Sequence, residues 1–424
     1  MSNGAERNIM DIEKLVSKLV FEKDKKAAEK IRQKAEANGI KLTSTQKLYE
    51  ARAREEWKGF TCPAINIRTL TFDTARAVIR QAIKKRVGAF IFELARSEIR
   101  YTDQPMSEYV PVILAAAFRE GYKGNLFFQG DHFQAEADKF FNPEKKAGEE
   151  TYLRELIKGS IEAGVYNIDL DMSTLVRLEE KNLLEQQKYN FGLTASLTSY
   201  IRGLQPRGII VSVGGEVGEI GGRNSTPEDL QVFLEGYNRE IKKYGDIPGL
   251  AKVAVQTGAT HGGVVGPSGE LVKVDIDFDT LKDLSDEARK YGMGGAVQHG
   301  ASTLPEEYFD RFPETGAVEI HLATAFQNIV LDSPYFPQNL TSKIVDFLNA
   351  EKISEKKPDQ TQEQFIYKTR KKALGPFKKE ILGIPSKDRD KISEALEEKF
   401  SILFNKLGVE NTVELVEKYC PDQK

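Results

Sequence analysis

The sequence predicts a (β/α)8 barrel with helical extensions at both ends, and three observations carry that expectation. Between about residues 60 and 350, short β-branched runs alternate with helix-length amphipathic stretches, the texture of repeated βα units. Eight such units can be counted, which suits a closed barrel better than an open doubly wound sheet, and no G-x-G-x-x-G follows the first strand. All four histidines of the chain, His132, His261, His299 and His321, fall at or just after the C-terminal end of an expected strand. In a barrel those ends converge on one face.

Taken in order, residues 1–59 form a helical N-terminal extension. They are rich in Lys, Glu and Ala, with Ile12, Leu15, Leu19 and Ile31 at helical spacing. The barrel domain spans 60–350, with strands expected at 64–68, 89–93, 125–130, 166–170, 208–213, 251–256, 295–298 and 317–322. Helices are expected over 74–85, 152–162, 227–243 and 279–291. The last segment, 351–424, is again helical, with Ile381, Ile392, Leu396, Phe400, Phe404 and Leu415 punctuated by Gly383 and Pro385.

Composition narrows the function classes. The chain has 424 residues, 40% hydrophobic and 29% charged, enough to bury a large core. Its 61 basic and 64 acidic residues are dispersed and give a net charge of −3, so there is no electrostatic case for a nucleic acid or membrane partner. Charges at Glu6, Arg7, Asp11, Glu13 and Lys14 interrupt any signal-peptide core, and no segment is apolar enough to span a bilayer. Cys62 and Cys420, far apart, form neither a disulfide framework nor a zinc-finger spacing. A cytoplasmic protein is expected.

The histidines carry the chemistry. Neutral imidazoles with a carboxylate suit zinc, and a catalytic zinc needs about three protein ligands with one position left open. Asp131 precedes His132 and could move protons beside such a metal. A single strand-end histidine, or a Gly-Asp-His step, could equally be structural. Gly-rich stretches follow two of the histidines, His261-Gly262-Gly263 and His299-Gly300-Ala301-Ser302, and could offer backbone N–H groups to phosphate. A third run, Gly214-Gly215-Glu216-Val217-Gly218-Glu219-Ile220-Gly221-Gly222, follows the fifth expected strand and reads as a mobile loop.

These motifs resemble those of class II, zinc-dependent fructose-bisphosphate and tagatose-bisphosphate aldolases, over roughly residues 63–332. The resemblance implies that Asp131 is the catalytic acid/base and that His132, His261 and His299 are zinc ligands, joined by Glu216 of the Glu-x-Gly-x-x-Gly-Gly loop. It implies substrate or phosphate contacts from Asn66, from Asp171 and Ser173, and from Gly262, Gly263, Gly300, Ser302 and Thr324. Two departures matter. The family's eighth-strand Asn-Ile-Asp-Thr is replaced by His321-Leu322-Ala323-Thr324, which makes His321 a second candidate proton-transfer group opposite Asp131. The acidic residues after the loop's double glycine are replaced by Arg223-Asn224, with Glu219 the candidate substitute.

The implied activity is that of a zinc-dependent aldolase, or one using another divalent metal, acting on a ketose (bis)phosphate of carbohydrate metabolism through a metal-stabilised enediolate. The alternatives are a metal-dependent ketose-phosphate epimerase and a non-catalytic stabilising subunit of an aldolase complex. A small phosphorylated sugar is the expected partner and a homo-oligomer the expected assembly. A Schiff-base aldolase is disfavoured because the strand lysine, Lys252, begins its strand at the end away from the chemistry.

Overall fold

The structure is a computed structural model that describes residues 2–218, 223–258, 264–268, 270–272 and 276–421. Its centre is a closed ring of eight parallel strands. These are β2 (Cys62–Asn66), β3 (Ile91–Ala95), β4 (Gly124–Gln134), β5 (Asn167–Asp171), β6 (Ser212–Gly218), β7 (Lys252–Val255), β10 (Ala296–Gln298) and β11 (Glu319–Leu322). Each pairs with the next, and β11 closes on β2 with His321 opposite Ala64. The expected barrel is therefore the observed fold. Helices Thr71–Lys85, Lys146–Glu162, Pro227–Ile241 and Phe278–Lys290 lie within a few residues of their expected places. The helix Pro227–Ile241 starts where its sequence directs: the Thr226 side chain accepts from the Asp229 N–H, and Pro227 sits in the first turn.

Two expectations are corrected. The fifth barrel strand is Ser212–Gly218 and not 208–213, so the first half of the glycine-rich run is strand and not loop. Its glycines serve close approach: a Cβ on Gly214 would lie 2.3 Å from Asp169 Oδ1, and one on Gly215 2.8 Å from Leu250 Cδ1. The second correction concerns the N-terminal extension, which is not wholly helical. After the helix Lys25–Ala37, Gly39 turns at φ +84° into a strand, β1 (Ile40–Thr43). This strand pairs with Gly124–Phe127, the part of the long β4 that precedes its pairing with β5. Asn167 at the start of β5 accepts from the Thr45 amide and hydroxyl at 2.8 and 2.9 Å, so the extension is stitched into the barrel's N-terminal end.

The C-terminal segment serves both ends of the barrel. Helix Ser386–Lys406 packs on Thr71–Lys85, with Phe400 4.7 Å from the Phe326 ring and Arg80 2.6 Å from Glu397. Beyond it, the Thr412 hydroxyl accepts from the amides of Gly88 and Ala89 just before β3. The stretch 352–376 instead crosses the C-terminal mouth, where Gly375 N–H donates to Tyr101 O and Gln364 to Val265 O. Val265 belongs to a small antiparallel hairpin of β8 (Val264–Val265) and β9 (Leu271–Val272). Among the described residues, no helix is long and apolar enough to cross a membrane.

Candidate active site

Side chains alternate along a strand, so consecutive residues of β4 should not both face the barrel mouth. A bulge breaks the alternation. The β4–β5 register shifts between Gly130 and Phe133, and His132 adopts φ +41°, a left-handed conformation that a non-glycine residue rarely takes. Gly130 permits the shift, because a Cβ there would sit 2.4 Å from the Phe133 ring that folds back over it. The bulge presents Asp131 and His132 together, and this strained conformation marks the functional centre.

Three imidazoles lie side by side, tilted, across the mouth: His132 and His299 have ring centroids 4.1 Å apart, and His299 and His321 4.0 Å. Asp131 Oδ1 sits among them, 3.8 Å from His132 Nε2, 3.8 Å from His299 Nδ1 and 3.1 Å from His321 Nδ1. Its other oxygen accepts from Asn66 Nδ2 at 2.9 Å. Burial alone would raise the Asp131 carboxyl, but His132, His321 and His299 hold it well below the usual carboxylate range. On the far side of His132, Nδ1 lies 3.0 Å from both Asp171 Oδ2 and Glu216 Oε2. Burial and the neighbouring Asp171 push the Glu216 carboxyl up to about 7.

These residues fit a divalent metal. Asp131, His132 and His299 each offer a ligand atom within 4.8 Å of the others, and so do His132, Asp171 and Glu216. His132 is common to both groups. The Asp171 contact has the form of the carboxylate that orients a metal-binding imidazole from behind. His132 is itself pushed well above its ordinary value: burial opposes the shift, and Glu216 and Asp131 drive it. A divalent cation would neutralise the same acids.

Other expected residues take different positions. Asn66, Gly300, Ser302, His321 and Thr324 line the mouth cavity of about 1450 Å³ with Asp131, His132 and His299. Ser302 Oγ accepts from the Thr324 amide at 3.0 Å, which leaves its O–H to donate. Asp171 and Ser173 do not line the cavity. Asp171 accepts from Ser173, Gln134 and His132. His261, Gly262, Gly263 and Glu219 lie outside the described residues.

His321 also departs from expectation. It is not across the site from Asp131 but bonded to it, while its Nε2 lies 2.7 Å from Glu319 Oε1. Each ring nitrogen therefore faces a carboxylate of the protein, and His321 does not stand on a face opposite Asp131. Burial opposes protonation of His321, yet Glu93, Asp131 and Glu319 together raise it well above its ordinary value.

Below the histidines lies a buried polar floor that the sequence reading missed. Lys252 Nζ donates to Gln129 Oε1 at 2.6 Å, to Asp169 Oδ2 at 3.1 Å and to Glu319 Oε1, which uses all three of its protons. Gln129 Nε2 donates to Glu93 at 2.8 Å and to Glu319 at 2.7 Å. Tyr49 O–H donates to the second Glu319 oxygen at 2.5 Å. Lys252 thus starts its strand at the far end, as expected, yet its amine reaches the floor of the site. A signal existed: Glu93, Gln129, Asp169 and Glu319 interrupt apolar strands, three of them two residues before Asp131, Asp171 and His321 on the same face. Arg68, Lys352, Lys368 and Lys371 were also missed; they line the cavity from a loop and from the crossing C-terminal stretch.

The family model for class II fructose-bisphosphate aldolases matches residues 44–381. The chain belongs to that family. Solved structures similar to this family member include a fructose-bisphosphate aldolase from Campylobacter jejuni, 18% identical, with a TM-score of 0.51 and coverage of 88% of this chain and 97% of that one. The YdjI aldolase from Escherichia coli K12 is 13% identical, with a TM-score of 0.50 and coverage of 88% and 100%. The fructuronate-tagaturonate epimerase UxaE from Cohnella laeviribosi is 13% identical, with a TM-score of 0.56 and coverage of 83% and 82%. At these identities the similarity speaks to the fold alone.

Proposed function

We propose that this class II aldolase family member is a zinc-dependent lyase that makes or breaks a carbon–carbon bond in a phosphorylated ketose. The convergence of His132 and His299 around Asp131, inside the large mouth cavity, carries the reading. His132 and His299 would hold the metal on the Asp131 face of His132; Glu216, at the opposite nitrogen of His132, and His261, outside the described residues, are the further ligands that the resemblance implies. When bound, the metal polarises the substrate carbonyl and offsets negative charge that develops on its oxygen. Asp131, positioned by Asn66 and His321, accepts and returns the proton.

The cations of the cavity support an anionic substrate. Arg68 Nη1 donates to the Thr324 hydroxyl at 3.2 Å and so stands beside the Ser302–Thr324 hydroxyl pair. Lys371 makes no ion pair among the described residues, and burial with the nearby Arg68 lowers its amine below its ordinary value. Arg68 is paired with Glu98 at 2.5 Å, so Lys371 is the cation of this pair that a phosphate would stabilise. Epimerisation is the weaker reading, because inversion requires proton transfer on two faces and, among the described residues, His321 shares one side with Asp131.

Chelation is expected to abolish turnover and zinc to restore it, while borohydride added with substrate leaves the protein unlabelled. Lys252 is fully buried and its three protons are committed, so it cannot form a Schiff base without dismantling the floor. Covalent trapping on a lysine, or activity that survives complete metal removal, would overturn the proposal.

A further inference from the structure

We infer that Glu319 and Lys252 are positioning residues that hold His321 against Asp131, so that the aspartate's proton-accepting oxygen is aimed from the barrel floor. The inference rests on the proposed role of Asp131 as the proton-transfer group. Its basis is a continuous chain of contacts that runs from Asp131 Oδ1 to His321 Nδ1, at 3.1 Å, and from His321 Nε2 to Glu319 Oε1, at 2.7 Å. Glu319 is in turn held by Lys252, Gln129 and Tyr49. All of these side chains are at least nine-tenths buried.

The alternative use of this cluster is as a second cation site, since Glu93, Asp131, Asp169 and His321 could be drawn around an ion. The contacts argue otherwise. The Lys252 ammonium already occupies the cationic position between Asp169 and Glu319, and both His321 nitrogens are within hydrogen-bonding distance of carboxylates, Nδ1 of Asp131 and Glu93 and Nε2 of Glu319. A carboxylate accepts only, so the His321 nitrogen facing Glu319 must donate. That bond fixes the ring plane, and the ring's opposite nitrogen then fixes Asp131. Gly214 belongs to the same device, because any side chain there would displace Asp169 and Lys252.

The test is a ring 15N–1H spectrum of the zinc-loaded protein labelled at histidine; with four histidines in the chain, His321 is assignable by substitution. In the wild type, His321 Nε2–H is expected as a low-field resonance protected from solvent exchange. Glu319→Gln preserves size and the Tyr49 contact, and should move that resonance and alter the Asp131-facing nitrogen. It should also slow deuterium wash-in at the reacting carbon of dihydroxyacetone phosphate by at least about tenfold, with zinc content and KM unchanged. A wild-type His321 with no proton on Nε2 overturns the inference without any variant, as does wild-type wash-in by Glu319→Gln. If the wild-type enzyme shows no wash-in at all, the lyase reading fails, and the spectrum still judges the positioning chain.

Discussion

Asp131→Asn is expected to lower kcat by about 10²–10⁴-fold, the usual contribution of a general acid–base group, with metal content unchanged. The amide fills the same space and can still accept from Asn66, but it cannot take a proton near neutral pH. His132 and His299 are untouched, so the ion should stay. Steady-state turnover measured beside elemental analysis of the same sample separates the two effects. A loss of less than about fivefold would remove Asp131 from the chemistry.

His132→Ala and His299→Ala are expected to cost the metal itself. Loss of a supporting carboxylate behind a metal-binding imidazole weakens affinity by about 10–100-fold, so loss of an imidazole ligand should cost at least about 100-fold. His132 belongs to both donor groups, whereas His299 belongs to one, which makes the pair informative. Loss with both variants places the ion on the Asp131 face of His132. Retention in His299→Ala with loss in His132→Ala would instead place it with Asp171 and Glu216. Isothermal titration of the metal-free variants with zinc reads the difference, and undiminished affinity in His132→Ala would contradict both placements.

Much of this site was legible because a barrel concentrates chemistry at strand ends, and the sequence marks those ends with rare residues. Asp131, His132, His299 and His321 were found that way. Their relationship was not legible, since it depends on a bulge that turns His132 to φ +41° and on the floor that ties His321 to Glu319. Glu93, Gln129, Asp169 and Lys252 looked like stray polar residues in strands; only barrel closure shows that they face one another. The fifth strand was misplaced because Gly214 and Gly215 resemble loop residues, whereas here they make room for Asp169 and Leu250. β1 escaped notice as a four-residue strand inside a Lys- and Glu-rich segment. Lys371 is hundreds of positions from Arg68, and nothing local announces that the chain folds back over the mouth.

The most direct measurement is 13C NMR of products formed by the zinc-loaded protein from a panel of labelled ketose phosphates. Cleavage gives two shorter carbon skeletons, one of them a ketone phosphate, and the account predicts that result for at least one substrate, with loss on chelation and in Asp131→Asn. A product that keeps the full skeleton with one inverted centre would contradict it and make the protein an epimerase.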